Sequence, residues 1–199
     1  KIVKSSPKEF LEEDLIPEEE TVIVLTRGGY IKRLKPESYR LQKRGGKGLI
    51  GMETKEEDVV EHLLAADTHA NLLFFTNTGK VYQARAYEVP EGTRVSKGKS
   101  IFNFLSLGTT EQVTSVLAIE KSKRGKPGYT PLEISRPRAA AAAPSRRAGS
   151  LTGYIVMTTK DGIIKKTSLE EFKNVRKSGL IAINLKKDDL LRGICKSSG

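Results

Sequence analysis

The 199-residue chain contains a single cysteine, only two histidines and no tryptophan. One thiol cannot form an internal disulfide, so Cys195 fits a reducing compartment. Two histidines and one thiol do not predict a metal site. No apolar stretch approaches the roughly 18 residues of a membrane-spanning helix, and the N-terminus has no apolar signal core. The sequence therefore predicts a soluble, cytoplasmic protein with no membrane partner.

Acidic residues are also scarce relative to basic ones, with 24 Asp and Glu against 35 Lys and Arg, a net charge of +11. This excess indicates a polyanionic partner. Residues 121–150 carry eight basic residues and one acidic residue, which is +7 and leaves +4 for the rest. Their alanine run, prolines and Ser-Arg pairs cannot bury a core, so we predict a disordered basic insertion. A gene-fusion or sequencing irregularity is the alternative.

Three segments share one pattern: an apolar run, a glycine turn, a basic strand and a glycine-containing basic loop. Their turn and loop glycines form the pairs Gly29 and Gly48, Gly79 and Gly98, and Gly162 and Gly179. The spacing within these pairs is 19, 19 and 17 residues, and the first two turns lie 50 residues apart. A repeat of about 50 residues with about four short β-rich runs per unit is typical of propeller blades.

The apolar runs are four to six residues long, too short for typical helices, and turn residues bound them. Helical periodicity is confined to residues 7–15 and 169–175. The prediction is an all-β, propeller-like fold of four-stranded blades at 21–68, 69–120 and 151–199, with the insertion at 121–150 between the last two. Residues 1–20 are predicted to form an acidic linker or a short helix that leads into the domain.

One basic heptapeptide in the first repeat combines three cations with three glycines: Gln42, Lys43, Arg44, Gly45, Gly46, Lys47 and Gly48. Glycine permits tight backbone turns, and Lys and Arg supply charge for a phosphate backbone. The segment closely resembles the box motif of the C-terminal DNA-wrapping domains of DNA gyrase A subunits. Six positions match the family pattern, and Lys43 stands where the family has Arg.

The wider chain resembles the same family at residues 14–120 and again at 154–191. The runs Gly28–Arg33, Leu73–Thr76 and Gly179–Leu185 carry this resemblance. It implies a β-pinwheel in which neighbouring four-stranded blades exchange strands and a complete domain has about six blades. Only about three blades are present here. Ring closure by these three blades is therefore left open.

The resemblance implies sequence-independent binding, bending and wrapping of duplex DNA, which gives gyrase the strand crossing for ATP-dependent negative supercoiling. The implied protein partners are the rest of the gyrase A subunit, together with the B subunit, in an A2B2 assembly on the nucleoid. No cofactor is expected in this chain, because ATP and Mg belong to other parts of that enzyme. Besides the box, the repeated basic loops offer phosphate contacts at Arg27, Lys32, Arg33, Arg40, Arg94, Lys97, Lys99, Lys165, Lys166, Arg176 and Lys177.

Catalysis by this chain is not predicted. The segment from Gly92 to Ser100 resembles a phosphate-binding P-loop, but it has five residues between its glycines instead of four, and a β-like run at 101–105 follows instead of a helix. Tyr39-Arg40 is a candidate nucleophile pair, but no compact acidic cluster with metal-ligand spacing accompanies it.

Two alternatives for function remain open from the sequence. One is the related C-terminal domain of the topoisomerase IV C subunit, whose box is degenerate or absent. The other is a β-propeller that binds protein partners, which would be expected to carry aromatic anchors on its surface. The near-complete box and the absence of tryptophan favour the gyrase interpretation.

Overall fold

A computed structural model of the chain describes residues 12–38, 58–119 and 153–198. These residues form mainly short β-strands, which confirms the all-β prediction. The strands are β1 (Glu20–Thr26), β2 (Tyr30–Leu34), β3 (Val60–Asp67), β4 (Asn71–Thr76), β5 (Lys80–Arg85), β6 (Lys99–Ser100), β7 (Val113–Ile119), β8 (Tyr154–Thr159), β9 (Ile164–Ser168), β10 (Leu180–Ile181) and β11 (Leu191–Ser197). A short helix, α1 (Glu12–Leu15), precedes them.

Short 3-10 helices connect several strands, at Pro36–Ser38, Ala86–Glu88, Ile101–Asn103 and Leu169–Phe172. The third one corrects the expectation of a β-like run at 101–105. The N–H of Ile101 donates to the carbonyl of Gly29, and the N–H groups of Phe104 and Leu105 both return to the carbonyl of Ile101. The chain therefore turns back after β6 instead of extending that strand. Within the described ranges, no helix has the length and apolar character needed to cross a bilayer.

The strands form three antiparallel sheets, with the orders β3-β1-β2-β6, β10-β5-β4-β7 and β11-β8-β9. A short turn joins the first two strands of each repeat; it has three residues in the first two repeats and four in the third, and it contains the repeat glycine. Gly29, Gly79 and Gly162 have φ values of 76°, 79° and 84°, the left-handed conformation that this turn requires and that glycine adopts without strain. The predicted turns are therefore formed as the sequence indicated.

Neighbouring sheets exchange short strands, as the family resemblance implied. Strand β6 follows β5 in the chain, but it pairs with β2 of the first sheet, with Ile31 opposite Lys99. Strand β10 likewise belongs to the third repeat and pairs with β5 of the second sheet, with Leu180 opposite Val81. Each basic loop therefore ends in a strand that completes the preceding sheet.

The core lies between neighbouring sheets. Strand β4 is central: its four apolar residues Leu72, Leu73, Phe74 and Phe75 are all 0% exposed. Because side chains alternate along a strand, Leu72 and Phe74 pack into the cluster with the first sheet, and Leu73 and Phe75 pack into the cluster with the third. Burial on both faces explains why this strand is a continuous apolar run instead of an alternating one.

The third sheet differs from the other two because its strand β9 has no exchanged partner among the described residues. The position two residues after the turn glycine shows the effect. Ile31 and Val81 are 0% exposed there, whereas Ile164 is 69% exposed. The third sheet thus has three strands in the described part of the chain, one fewer than the predicted four.

Candidate nucleic-acid interface

Two basic loops lie at the junctions between neighbouring sheets. Residues 92–98 precede β6 and residues 173–179 precede β10, and both loops end in a glycine of positive φ. A Cβ atom on Gly98 would lie 2.6 Å from the carbonyl oxygen of Ile31, and one on Gly179 would lie 2.8 Å from the ring of Tyr82. Both loops therefore pack directly on the preceding sheet, and their cations lie where one blade meets the next.

Most of the predicted DNA-binding cations in the described ranges are accessible. Arg27, Lys99, Lys165, Lys166, Arg176 and Lys177 are exposed, and Arg33, Arg94 and Lys97 are partly exposed. Aromatic rings hold two of these ammonium groups near the surface: the Nζ of Lys97 lies 3.8 Å from the ring centroid of Tyr30, and that of Lys166 lies 4.1 Å from the ring centroid of Tyr154. The electron-rich ring face attracts a cation without neutralising its charge.

Arg33 has a mixed environment. Its guanidinium lies 3.5 Å from the carboxylate of Glu91, and its Nε–H donates to the carbonyl of Val89 at 3.4 Å. Its backbone N–H and carbonyl also bond to Pro90 and Gly92. The residue therefore holds the 89–92 segment against β2, and Glu91 compensates part of the charge that it could offer to a phosphate.

The structure does not place Lys32 on the surface, contrary to the expectation that it contacts phosphate. Its side chain is 0% exposed. Its ammonium donates to the carbonyl oxygens of Thr93, Arg94 and Ser96 at 3.1, 2.7 and 2.8 Å. Burial lowers the pKa of Lys32, while acceptors this close favour the charged form. A buried ammonium with these partners holds protein backbone and is not available to DNA.

The same contacts argue against the P-loop alternative for residues 92–100. In a phosphate-binding loop, backbone N–H groups converge on an anion. Here three backbone carbonyls converge on a cation, which is the opposite polarity. The segment that follows is a three-residue 3-10 helix, not the longer helix that a P-loop requires.

Each repeat has an acidic residue two positions before its third long strand (β3, β7 or β11, called here the closing strand). These acidic residues were not among the residues predicted from the sequence. Asp58 accepts a hydrogen bond from the N–H of Gly28 at 2.7 Å, and Asp189 accepts one from the N–H of Asp161 at 3.0 Å. Glu111 occupies the corresponding place in the second repeat, where the hydroxyl of Thr78 donates to it. Each carboxylate thus ties its hairpin turn to the closing strand. The recurrence of Asp or Glu before the third strand was the available signal.

Glu111 forms the most extensive of these networks and is only 4% exposed. It accepts from the hydroxyl of Tyr82 at 2.6 Å and the N–H of Gly108 at 3.2 Å, and the ammonium of Lys80 lies 2.6 Å away. Burial by itself would raise the pKa of Glu111, but hydrogen bonds from Lys80, Tyr82 and Gly108 outweigh it and lower the pKa. Burial and the bond to Glu111 raise the pKa of Tyr82 to about 12.

Several predicted site residues lie outside the described residues: the heptapeptide Gln42–Gly48, the adjacent Arg40 and the 121–150 insertion. Their assignment to DNA binding stays a prediction from the sequence. Over the ranges that the structure describes, no three His, Cys, Asp or Glu side chains come together as a possible metal site. The described residues of the candidate interface are basic loops and strands on a β scaffold.

Three antiparallel sheets that share exchanged strands and two inter-sheet cores define a propeller-like class of β protein. The family model described as "DNA gyrase C-terminal domain, beta-propeller" matches residues 20–67, 70–120 and 153–194, which is more than half of the chain. The chain belongs to the DNA gyrase A C-terminal domain family.

Two relatives show the extent of this similarity. The chain is 42% identical over 187 residues to the DNA gyrase A protein of Clostridium acetobutylicum, covering 94% of this chain and 19% of that protein. It is 40% identical over 197 residues to the DNA gyrase A protein of Halalkalibacterium halodurans, covering 99% of this chain and 20% of that protein. The chain therefore spans about a fifth of the length of these two proteins.

Solved structures agree with the fold. The C-terminal domain of DNA topoisomerase IV superimposes with a TM-score of 0.66 at 25% identity, over 92% of this chain and 47% of that one. A DNA gyrase A C-terminal domain superimposes with a TM-score of 0.60 at 25% identity, over 90% of this chain and 48% of that one. The chain corresponds to about half of each solved domain.

Proposed function

We propose that this chain binds duplex DNA without sequence preference and bends it, as part of the DNA-wrapping region of a gyrase A protein. The observation that supports this proposal most strongly is the position of the basic loops. Residues 92–98 and 173–179 each cross from one sheet to the preceding one, so their cations recur at successive blade junctions. A duplex that follows these junctions meets a new basic loop at each blade.

Electrostatics explains why such a surface suits DNA of any sequence. Contacts between cations and phosphates gain free energy by releasing condensed counterions and need no contact with base edges. Bending a duplex by 40–90° over 20–30 base pairs costs about 1–6 kcal/mol, so several contacts must act together. Cations repeated at blade junctions meet that requirement because each blade adds contacts along the same path.

In the complete enzyme, the proposed role of this bend is to present a DNA crossing of defined sense to the cleavage core. ATP hydrolysis in the gyrase B partner then yields negative supercoils. The chain itself supplies binding and geometry, and strand cleavage is proposed to belong to the rest of gyrase A. The A2B2 assembly and the association with the nucleoid are part of the same proposal.

The second candidate is the C-terminal domain of a topoisomerase IV protein, which the TM-score of 0.66 supports. The two candidates share one fold, and they differ in the effect of the complete enzyme on DNA supercoiling. The complete protein, reconstituted with its ATPase partner, should introduce negative supercoils if it is a gyrase. ATP-dependent relaxation without supercoiling would favour topoisomerase IV.

Salt dependence of DNA binding tests the proposed function. If four to six phosphates are neutralised, log K against log salt should have a slope of about −4 to −5 on duplexes of unrelated sequence. A slope near zero, or strong preference for one sequence, would contradict the proposal. Absence of DNA binding would instead favour a propeller that binds proteins.

A pair of matched double variants tests the position of the contacts. Arg176 and Lys177 lie in the junction loop before β10, while Lys186 and Lys187 are exposed cations in the turn before β11. Replacing either pair by Gln removes two positive charges. The junction variant should reduce the salt slope by about two units, since each lost phosphate contact reduces it by about one. The Lys186→Gln, Lys187→Gln control should change the salt slope by less than about half a unit. An equal change of slope in both double variants would contradict the proposal that the junction loop contacts DNA.

A further inference from the structure

Lys32 is the most deeply buried cation of the described interface, and its surroundings belong to another repeat. It lies in β2 of the first repeat, while its three carbonyl partners lie at positions 93, 94 and 96 of the second. An ammonium group has three N–H donors, and these three carbonyls match them in number. The contact therefore joins two consecutive repeats through a single side chain.

The loop folds closely around the aliphatic part of Lys32. A Cβ atom on either Gly92 or Gly98 would lie 3.3 Å from the Cβ of Lys32. Between these glycines, the N–H and hydroxyl of Ser96 both donate to the carbonyl of Thr93, at 3.2 and 2.9 Å. The backbone of the loop is thus packed at both ends against Lys32 and bonded in the middle to its ammonium.

A second side chain on the same face of β2 contacts the same loop. Tyr30 and Lys32 are two residues apart on a strand, so their side chains point to the same face. The ring of Tyr30 lies under the ammonium of Lys97, with 3.8 Å from Nζ to the ring centroid. One face of β2 therefore fixes both the backbone of the loop and one of its cations.

The corresponding positions of the other repeats are different. Three residues after the turn glycine, the second repeat has Tyr82, whose hydroxyl donates to Glu111 of the same repeat. The third repeat has Lys165, which is exposed and donates to the carbonyl of Ala182 at 2.8 Å. In the described part of the chain, the contact of one ammonium with three loop carbonyls is specific to the first repeat.

We propose that Lys32 is a positioning residue that holds the basic loop 92–98 in the shape that presents Arg94 and Lys97 of the loop, and Lys99 at the start of β6, to DNA. This inference rests on the proposed DNA-binding function, because it explains how one of its contact loops is held. Lys32 does not touch phosphate. Its charge is directed to three backbone carbonyls, so that the exposed cations of the loop keep their positions before DNA arrives and less ordering is required on binding.

Hydrogen exchange tests the structural half of this proposal without DNA. Lys32→Met keeps the aliphatic stem and removes the ammonium, so amides of residues 93–99 should exchange about tenfold faster or more, as expected for losing at least one charged hydrogen bond. Strands β1 and β4 should keep their protection. Lys35→Met is the matched control, because Lys35 is an exposed lysine just after β2, and it should leave loop exchange unchanged. Unchanged exchange in Lys32→Met would overturn the proposal.

A double-mutant cycle tests the functional half. Lys32→Met should reduce the salt slope of DNA binding by about one to three units, because up to three cations, two in the loop and one at the start of β6, lose their positions. In a background with Arg94, Lys97 and Lys99 replaced by Gln, the same change should have no further effect. An equal effect in both backgrounds would show that Lys32 acts independently of the loop and would overturn the proposal, as would a normal slope in Lys32→Met alone.

A second variant and loop exchange measured without DNA cover the cases in which Lys32→Met does not fold or the chain does not bind DNA. If Lys32→Met does not fold, Lys32→Gln retains a polar donor one bond shorter and should give a smaller change in the same direction; a fully folded Lys32→Gln with unchanged loop exchange and unchanged slope would overturn the proposal. If the unmodified chain does not bind DNA, the proposed function fails. Loop exchange then still decides whether Lys32 fixes the loop.

Discussion

The exposed strand β9 gives a quantitative prediction about packing. Ile31 and Ile164 occupy the same place in their repeats, two residues after the turn glycine, but Ile31 is 0% exposed and Ile164 is 69% exposed. Truncating a fully buried Ile to Ala costs about 2–5 kcal/mol, because a cavity adds to the lost transfer free energy. Ile164 buries less than a third of its surface, so Ile164→Ala should cost about 0.5–1 kcal/mol.

Denaturant unfolding of the two variants measures this difference. Both remove the same atoms, so intrinsic propensity cancels and the environment of the side chain decides the result. We expect Ile31→Ala to lower the unfolding midpoint at least twice as much as Ile164→Ala, with similar m-values. Val81 occupies the equivalent position of the second repeat and is also fully buried. Val81→Ala should therefore lower the unfolding midpoint by an amount closer to that of Ile31→Ala than to that of Ile164→Ala. Equal losses at Ile31 and Ile164 would refute the reasoning, because they would show that β9 is covered in solution.

Three further predictions concern other parts of the chain. Glu111→Gln should lower the free energy of unfolding at neutral pH. The pKa of Glu111 is lowered in the folded state, so the difference in free energy of unfolding between the variant and the unmodified chain should be full above about pH 5. That difference should shrink as the pH falls below the usual Glu pKa of about 4.3. Gly98→Ala should lower the free energy of unfolding more than Gly162→Ala. Both glycines have positive φ, which costs about 1–2 kcal/mol for Ala. A Cβ atom on Gly98 would in addition lie 2.6 Å from the carbonyl oxygen of Ile31, whereas one on Gly162 would have no atom within 4 Å. Deleting residues 121–150 should leave thermal unfolding nearly unchanged and weaken DNA binding at low salt, since the segment carries a net charge of +7; a large loss of stability would show that it is packed structure.

Much of the fold was predictable because its signals are local. The turn glycines required positive φ, and the short apolar runs required strands buried between sheets, as in β4. The pairing of β6 and β10 with preceding sheets came only from the family resemblance. A two-residue strand has no periodicity of its own, so Lys99-Ser100 carries no local signal of its partner.

The role of Lys32 could not be predicted from the sequence for a related reason. Within the run Tyr30-Ile31-Lys32-Arg33-Leu34, a lysine is expected to be solvated, since lone buried ammonium groups are costly. Its burial depends on carbonyls more than 60 residues later in the chain, at Thr93, Arg94 and Ser96. The acidic residues that bond to the hairpin turns, in contrast, could have been predicted from the sequence, because they recur at one place in the repeat, at Asp58, Glu111 and Asp189.

The most direct test of the central claim is negative supercoiling by a complete gyrase A protein whose box cations are removed. Lys43, Arg44 and Lys47 are replaced by Ala while Gly45, Gly46 and Gly48 are kept, and the protein is assayed with its ATPase partner. Lys186→Ala with Lys187→Ala serves as the charge-loss control and should supercoil normally. Because other blades still offer cations but cannot offset the bending cost alone, the triple variant should lose negative supercoiling and keep cleavage and ATP-dependent relaxation. A triple variant that supercoils like the unmodified protein would contradict the claim that the basic heptapeptide is required for DNA wrapping.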